Sequence, residues 1–153
     1  MAAADKTCTM CEKLGLKPFT KENIYYYYIP IQGLASYGAL SVNVMNPALI
    51  SKILTPKKDL TNVLLLGSIV GGAFYVYGRP ALAEVPNSKR GMYAVLGGGL
   101  WAMGSVLGWA LIKSVLPRDN SAMATIAGLA TGAAIVKVTT DYFADTDKLA
   151  KKN

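Results

Sequence analysis

Four stretches of the chain, 24–51, 60–78, 91–112 and 120–136, contain no charged side chain, and the ionisable residues crowd into the segments between and beyond them. A helix rising 1.5 Å per residue needs about 20 apolar residues to cross a hydrocarbon core of roughly 30 Å. Three of the stretches reach or nearly reach that length. The fourth gains its missing turn if Lys137 runs its aliphatic stem along the helix and sets its ammonium at the interface, so that Val138, Thr139 and Thr140 continue the apolar run. A water-soluble bundle would need a polar face recurring every 3.6 residues, and the run from Val63 to Phe74 has none. The fold predicted is therefore an all-α membrane protein with four transmembrane helices at about 28–46, 60–79, 92–112 and 121–140. A polar N-terminal tail, 1–23, and a polar C-terminal tail, 144–153, flank a transmembrane domain, 24–143.

The spans contain small residues at helical spacing. Gly67 and Gly71, Ser68 and Gly72, Gly104 and Gly108, and Gly128 and Gly132 each repeat at four residues, which stacks each pair on one face and lets another backbone approach. Lipid gives helices no hydrophobic reason to associate, so close contact along such GxxxG faces is expected to join them. In span three, Gly97, Trp101, Gly104 and Gly108 read as one continuous groove, with Gly98 beside it; Trp109, about 100° round from Gly108, should face away from that groove. Tyr25-Tyr26-Tyr27-Tyr28 before Pro30, Tyr75 and Tyr77 before Arg79, and Tyr142 and Phe143 suit a headgroup-level aromatic belt.

The net charge of +7 fits Lys and Arg flanking membrane spans. Lys57 and Lys58 before span two, Arg79 at its end, and Lys89 and Arg90 before span three are candidate contacts for an anionic phospholipid headgroup, cardiolipin being one such lipid. The basic residues are dispersed, with no stripe and no interleaved aromatic platform, so nucleic acid is not an expected partner. Basic residues are twice as frequent on the side holding the termini and middle loop as on the side holding Lys52, Lys57, Lys58, Lys113 and Arg118, which the positive-inside rule reads as termini toward the cytoplasm or matrix.

Chemistry is sparsely represented. Cys8 and Cys11 form a CxxC that could pair as a disulfide, remain as inert thiols, cycle as a dithiol or supply half a metal site, but there is no histidine and no third cysteine to complete a zinc site. The lack of histidine removes the usual general base, and no carboxylate lies within a span. No catalytic residue, cofactor site or metal site is expected, and the chain reads as a non-enzyme.

The opening residues mix Asp5, Glu12 and Glu22 with lysines and show neither a hydrophobic core nor arginine, so no cleavable presequence is expected. Four short glycine-rich helices, Asn46-Pro47 at the end of span one, and Gly97-Gly98 opening span three resemble the mitochondrial inner-membrane import translocase (Tim) superfamily. Within it they are most similar to the four-helix accessory subunits of respiratory complex I, over roughly 25–143. Gly71 and Phe74 match the beginning of the family pattern and Gly97 and Gly98 its end. Val85 and Lys89 stand where the pattern has an arginine and an aspartate, and Ala102 replaces a final glycine. The resemblance implies an accessory subunit of the complex I membrane arm in the mitochondrial inner membrane, partnered by other respiratory-chain subunits and supporting assembly and stability. The alternative it leaves is a component of an inner-membrane protein-import translocase.

Overall fold

The computed structural model describes residues 15–53, 60–117 and 120–152. Cys8, Cys11, Lys57 and Lys58 lie outside these residues. Five helices form, and no strand is present among the described residues: α1, Ile29–Met45; α2, Pro47–Ile53; α3, Thr61–Tyr77; α4, Asn87–Val115; and α5, Ser121–Ala150. A single α turn, Lys21–Asn23, and a π-helical turn, Ile24–Tyr28, lead into α1, and a 3₁₀ turn, Pro80–Leu82, follows α3.

Proline and asparagine set most of these boundaries. The widened turn over the four tyrosines comes immediately before Pro30, which has no N–H with which to continue the helical ladder; the Ile29 N–H reaches back to the Ile24 carbonyl instead. Asn46 leaves the helical region because Pro47 follows it, and Pro47 then opens α2, where a missing N–H costs nothing. Arg79 and Leu116 are extended for the same steric reason, ahead of Pro80 and Pro117. The side chain of Asn120 accepts from the Met123 N–H at 3.1 Å and caps α5.

Two of the four expected spans prove longer than the apolar pattern indicates. Helix α4 begins at Asn87 and ends at Val115, and α5 continues through the expected C-terminal tail to Ala150. Charge alone does not stop a helix, and pairs at helical spacing support the extension: Lys137 Nζ lies 3.0 Å from Asp141 and Lys148 Nζ 2.9 Å from Asp145. The bond and charge of Asp145 raise the Lys148 ammonium above the ordinary lysine pKa. Helix α2 is an addition to the four predicted elements. Both α4 and α5 are long and apolar enough to cross a membrane, whereas α3 is an apolar helix of shorter length.

Helix α1 is the common neighbour, packing on α3, α4 and α5, while α3 lies along both α1 and α4. Two adjacent glycines let α3 face both ways. A Cβ on Gly71 would collide with the backbone of Gly33 in α1, and one on Gly72 would sit 3.3 Å from Gly98 Cα in α4. A Cβ on Gly98 would come within 2.6 Å of the Ala73 nitrogen and 2.8 Å of the Ile69 carbonyl oxygen, so backbone fills the space a side chain would need. Helix α5 meets α1 at Gly128, against Met45 and Ser41, and at Gly132, against Tyr37 and Ser41. Gly67 takes up the Ser36 hydroxyl of α1.

The groove expected on span three is displaced by one residue. The positions of α4 turned inward are Ala94, Gly98, Ala102, Ser105 and Trp109. Trp109, expected to face away from that groove toward lipid or a neighbour, is fully buried against neighbouring helices. Gly104 and Gly108 look onto open space, and Gly97 meets only the Val76 side chain, at 3.7 Å. Both rows are rich in small residues and lie about 100° apart, so spacing alone cannot choose between them. The bulk of the Trp109 indole decides it, filling the gap beside Gly132.

Candidate functional site

The interior of the bundle holds polar atoms, and each described buried side-chain N or O has a partner. Tyr37 of α1 inserts between two indoles of α4, stacked on Trp101 at 4.0 Å between centroids and tilted against Trp109 at 4.9 Å. Its hydroxyl donates to Ser105 Oγ at 2.8 Å, and Ser105 donates in turn to the Trp101 carbonyl. Each indole also reaches α5: Trp101 Nε1 donates to Thr139 Oγ1 and Trp109 Nε1 to Thr131 Oγ1, both at 3.1 Å. The indoles and the threonines are spaced eight residues apart on antiparallel helices, so both bonds fall in one register. Further bonds join Gln32 to Ser36, Asn43 to Thr61 and Asn46 to Thr125. Polar residues that look scattered along the sequence are thus largely turned toward one another.

The outside is apolar. Met92, Val95, Leu100, Leu107, Leu111 and Val115 of α4 are exposed, as are Ile126 and Val138 of α5 and Val63 and Leu66 of α3. In the whole of α5 only Gly128 and Gly132 are buried. Large apolar side chains on the outside as well as the inside set the bundle apart from a water-soluble one, whose outer faces are polar.

A recess interrupts that surface. Between the N-terminal part of α1 and the C-terminal half of α5 lies a crevice of about 390 Å³. Its floor is Gly71, Gly72, Gly97 and Gly98 with the Trp101 ring, so the same glycines that bring helices together leave a hollow where side chains are missing. Ile31 and Leu34 stand on one lip, Thr140 and Tyr142 on the other, all exposed. The two threonine hydroxyls in the wall are already committed, Thr139 to the Ile135 carbonyl and Trp101, Thr140 to the Lys137 carbonyl. What remains is an apolar slot.

Arg79, expected at the interfacial end of span two, closes one end of this region. Its guanidinium lies 3.8 Å from the Tyr75 ring centroid and 5.9 Å from that of Phe143, two crevice residues that meet edge to face. Its Nη1 is 3.3 Å from Asp147 Oδ2, while Asp147 Oδ1 accepts from the Ala81 N–H at 3.1 Å. The tail residue Asp147 thereby ties the end of α5 to the loop after α3. Arg90 donates from Nε to the Tyr77 carbonyl at 2.8 Å and lies over the Tyr77 ring, and Lys89 is exposed beside it. The tyrosine run is divided in its contacts. Tyr25 stacks on Phe74, Tyr28 donates to the Lys17 carbonyl, and Tyr26 packs on Gly78 with half its surface exposed.

No group of three or more potential metal ligands occurs among the described residues. Sequence reading put Trp101 on a packing face but missed the crevice, the inward side of Trp109 and Asp147. The eight-residue spacing shared by Trp101 with Trp109 and Thr131 with Thr139 was the available signal for the indoles. No protein-family model matches the chain, and no curated protein or solved structure matches it either.

Proposed function

We propose that the chain is a four-span membrane protein acting as a non-catalytic accessory subunit of the respiratory complex I membrane arm, in the mitochondrial inner membrane. The observation that carries the membrane part is the apolar exterior of the bundle: exposed Leu, Val, Ile and Met run along α3, α4 and α5, over an interior whose Ser, Thr, Tyr and Trp polar atoms are bonded. In water such a surface would drive aggregation; in hydrocarbon it needs no cover. Helix α1 with its π turn supplies the first crossing, and α3, short as it is, the second.

The accessory role draws on the resemblance of the glycine-rich helices and on the Gly104 and Gly108 face of α4, which has no neighbour within 4 Å among the described residues. A small subunit with its own helices joined through small residues, and another such face outward, suits attachment to a larger membrane assembly. Lys89 and Arg90, with Arg79, are placed to meet anionic headgroups at one side. The interior polar groups among the described residues are bonded to one another or to helix carbonyls, which favours the accessory reading over the import one.

Extraction in a mild detergent followed by native gel electrophoresis tests the proposal. Comigration with the respiratory complex is expected; a small free species, with the respiratory complex unchanged in its absence, would overturn it.

A further inference from the structure

The crevice between α1 and α5 is open to the side of the bundle, and an apolar cavity of this size attracts no water, since water in a cavity needs two or more polar partners. Its lips, Ile31 and Leu34 on α1 and Thr140 and Tyr142 on α5, face outward beside the exposed Lys137–Asp141 ion pair. In a membrane, whatever fills it must come from within the bilayer. A shallow groove from Tyr37 and Gly38 past Gly132 to Lys137 and Asp141 continues the opening along the α1–α5 seam. The space is therefore elongated along the helices, as a hydrocarbon chain is.

The end of the crevice nearest water is positive. The segments that meet there, 15–34, 71–98 and 136–152, carry nine Lys and Arg against five Asp and Glu. Arg79 lies against the aromatic pair Tyr75 and Phe143 in the crevice wall, and among the described residues only its Nη1 carries a hydrogen bond from the guanidinium. A guanidinium has five N–H donors, so donors remain for a phosphate oxygen while Asp147 holds the group in place.

We propose that the crevice is a binding site for one acyl chain of an anionic phospholipid, which enters sideways between α1 and α5 and sets its phosphate near Arg79. The proposal rests on the membrane reading above. The lipid acts as a filler for the hollow over Gly71, Gly72 and Gly98, joining the C-terminal half of α5 to the other helices where protein side chains leave a gap.

Trp101 lines the crevice and Trp109 is fully buried away from it, and they are the two tryptophans of the chain. Bromine on a lipid chain quenches indole emission on contact, so the full chain and its Trp101→Phe variant, reconstituted into phosphatidylcholine vesicles containing a minority of phosphatidylglycerol, separate the two signals. Equal amounts of chain-brominated phosphatidylglycerol or chain-brominated phosphatidylcholine serve as probes. The Trp101 emission should be largely lost with brominated phosphatidylglycerol, less so with brominated phosphatidylcholine, and the Trp109 emission remaining in Trp101→Phe should change little. Val136→Phe and Thr140→Phe, which fill the slot from two positions, should each restore Trp101 emission.

Equal quenching of both indoles, equal quenching by both lipids, or quenching that survives both filled variants would overturn the proposal. A second copy or a partner helix seated in the crevice would shield Trp101 from bromine, which also overturns it. Failure of the protein to float with the vesicles would instead refute the membrane reading itself.

Discussion

Glycine does two opposite things in this bundle, and the difference lies in what stands over the missing side chain. At Gly98 the backbone of Ala73 and Ile69 occupies that space, and backbone cannot swing aside. Gly98→Leu should therefore force α3 and α4 apart and lower stability by about 1–3 kcal/mol or more, the usual cost of overpacking. Gly104→Leu should leave the thermal midpoint of the isolated protein close to that of the parent, because nothing lies within 4 Å of the added Cβ. Thermal unfolding in detergent, followed by circular dichroism, checks both, and equal losses in the two variants would contradict the placement of the inward face. Sequence alone shows all the glycines and their spacing. It does not show which of two neighbouring rows is covered, because Gly97, Gly104 and Gly108 and the row of Gly98, Ala102 and Ser105 have nearly the same chemistry.

Helix α5 illustrates how an element can be held by few contacts. It offers only Gly128 and Gly132 as buried positions, and its other ties include two indole–threonine bonds to α4, bonds from Asn46 to Thr125 and Ser121, the Phe143 contact with Tyr75 and the Asp147 bridge. Hydrogen bonds between helices in a membrane contribute about 0.6 kcal/mol each on average, and the two threonines also satisfy indole N–H groups that would otherwise be stranded. Thr131→Val and Thr139→Val should each loosen α5, and the double variant should lose about the sum, since the sites lie two turns apart. Faster amide exchange along α5 with α1 and α3 unaffected is the expected result; uniform acceleration across all helices would show instead that the bundle opens as one unit. The limits of α5 were only partly legible. Asn120 announces its start, as an N-cap should, but the charged residues from Asp141 onward resemble a tail until Asp147 is seen bonded to Arg79 and the Ala81 N–H.

For the molecule as a whole, the decisive property is that the surface is as apolar as the centre. The centre is Tyr37, Leu40, Met45 and Trp109 with bonded serines beside them, and the periphery is again leucine, valine, isoleucine and methionine. Such a body is stable where its exterior meets hydrocarbon, and the proposed four crossings follow from that requirement. Alkaline carbonate, which strips peripheral proteins, should leave the chain in the membrane pellet; its release into the supernatant would count against every crossing. An intact assembly should also protect the Gly104 and Gly108 face of α4, which the described residues leave open.

Charge-free length was enough to show that the chain is helical and roughly where α1, α3 and α5 begin, since four uncharged runs can hardly be loops, while the short α2 and the early start of α4 were not marked by it. The facing of each helix was not local. Trp109 points inward because a gap beside Gly132 and the edge of the Tyr37 ring await it, and those residues lie far away along the chain. The crevice is a still clearer case, being made of what glycines lack on three helices at once. Periodicity reports a stripe on one helix; only the meeting of several helices settles which stripe is covered and where a hollow remains.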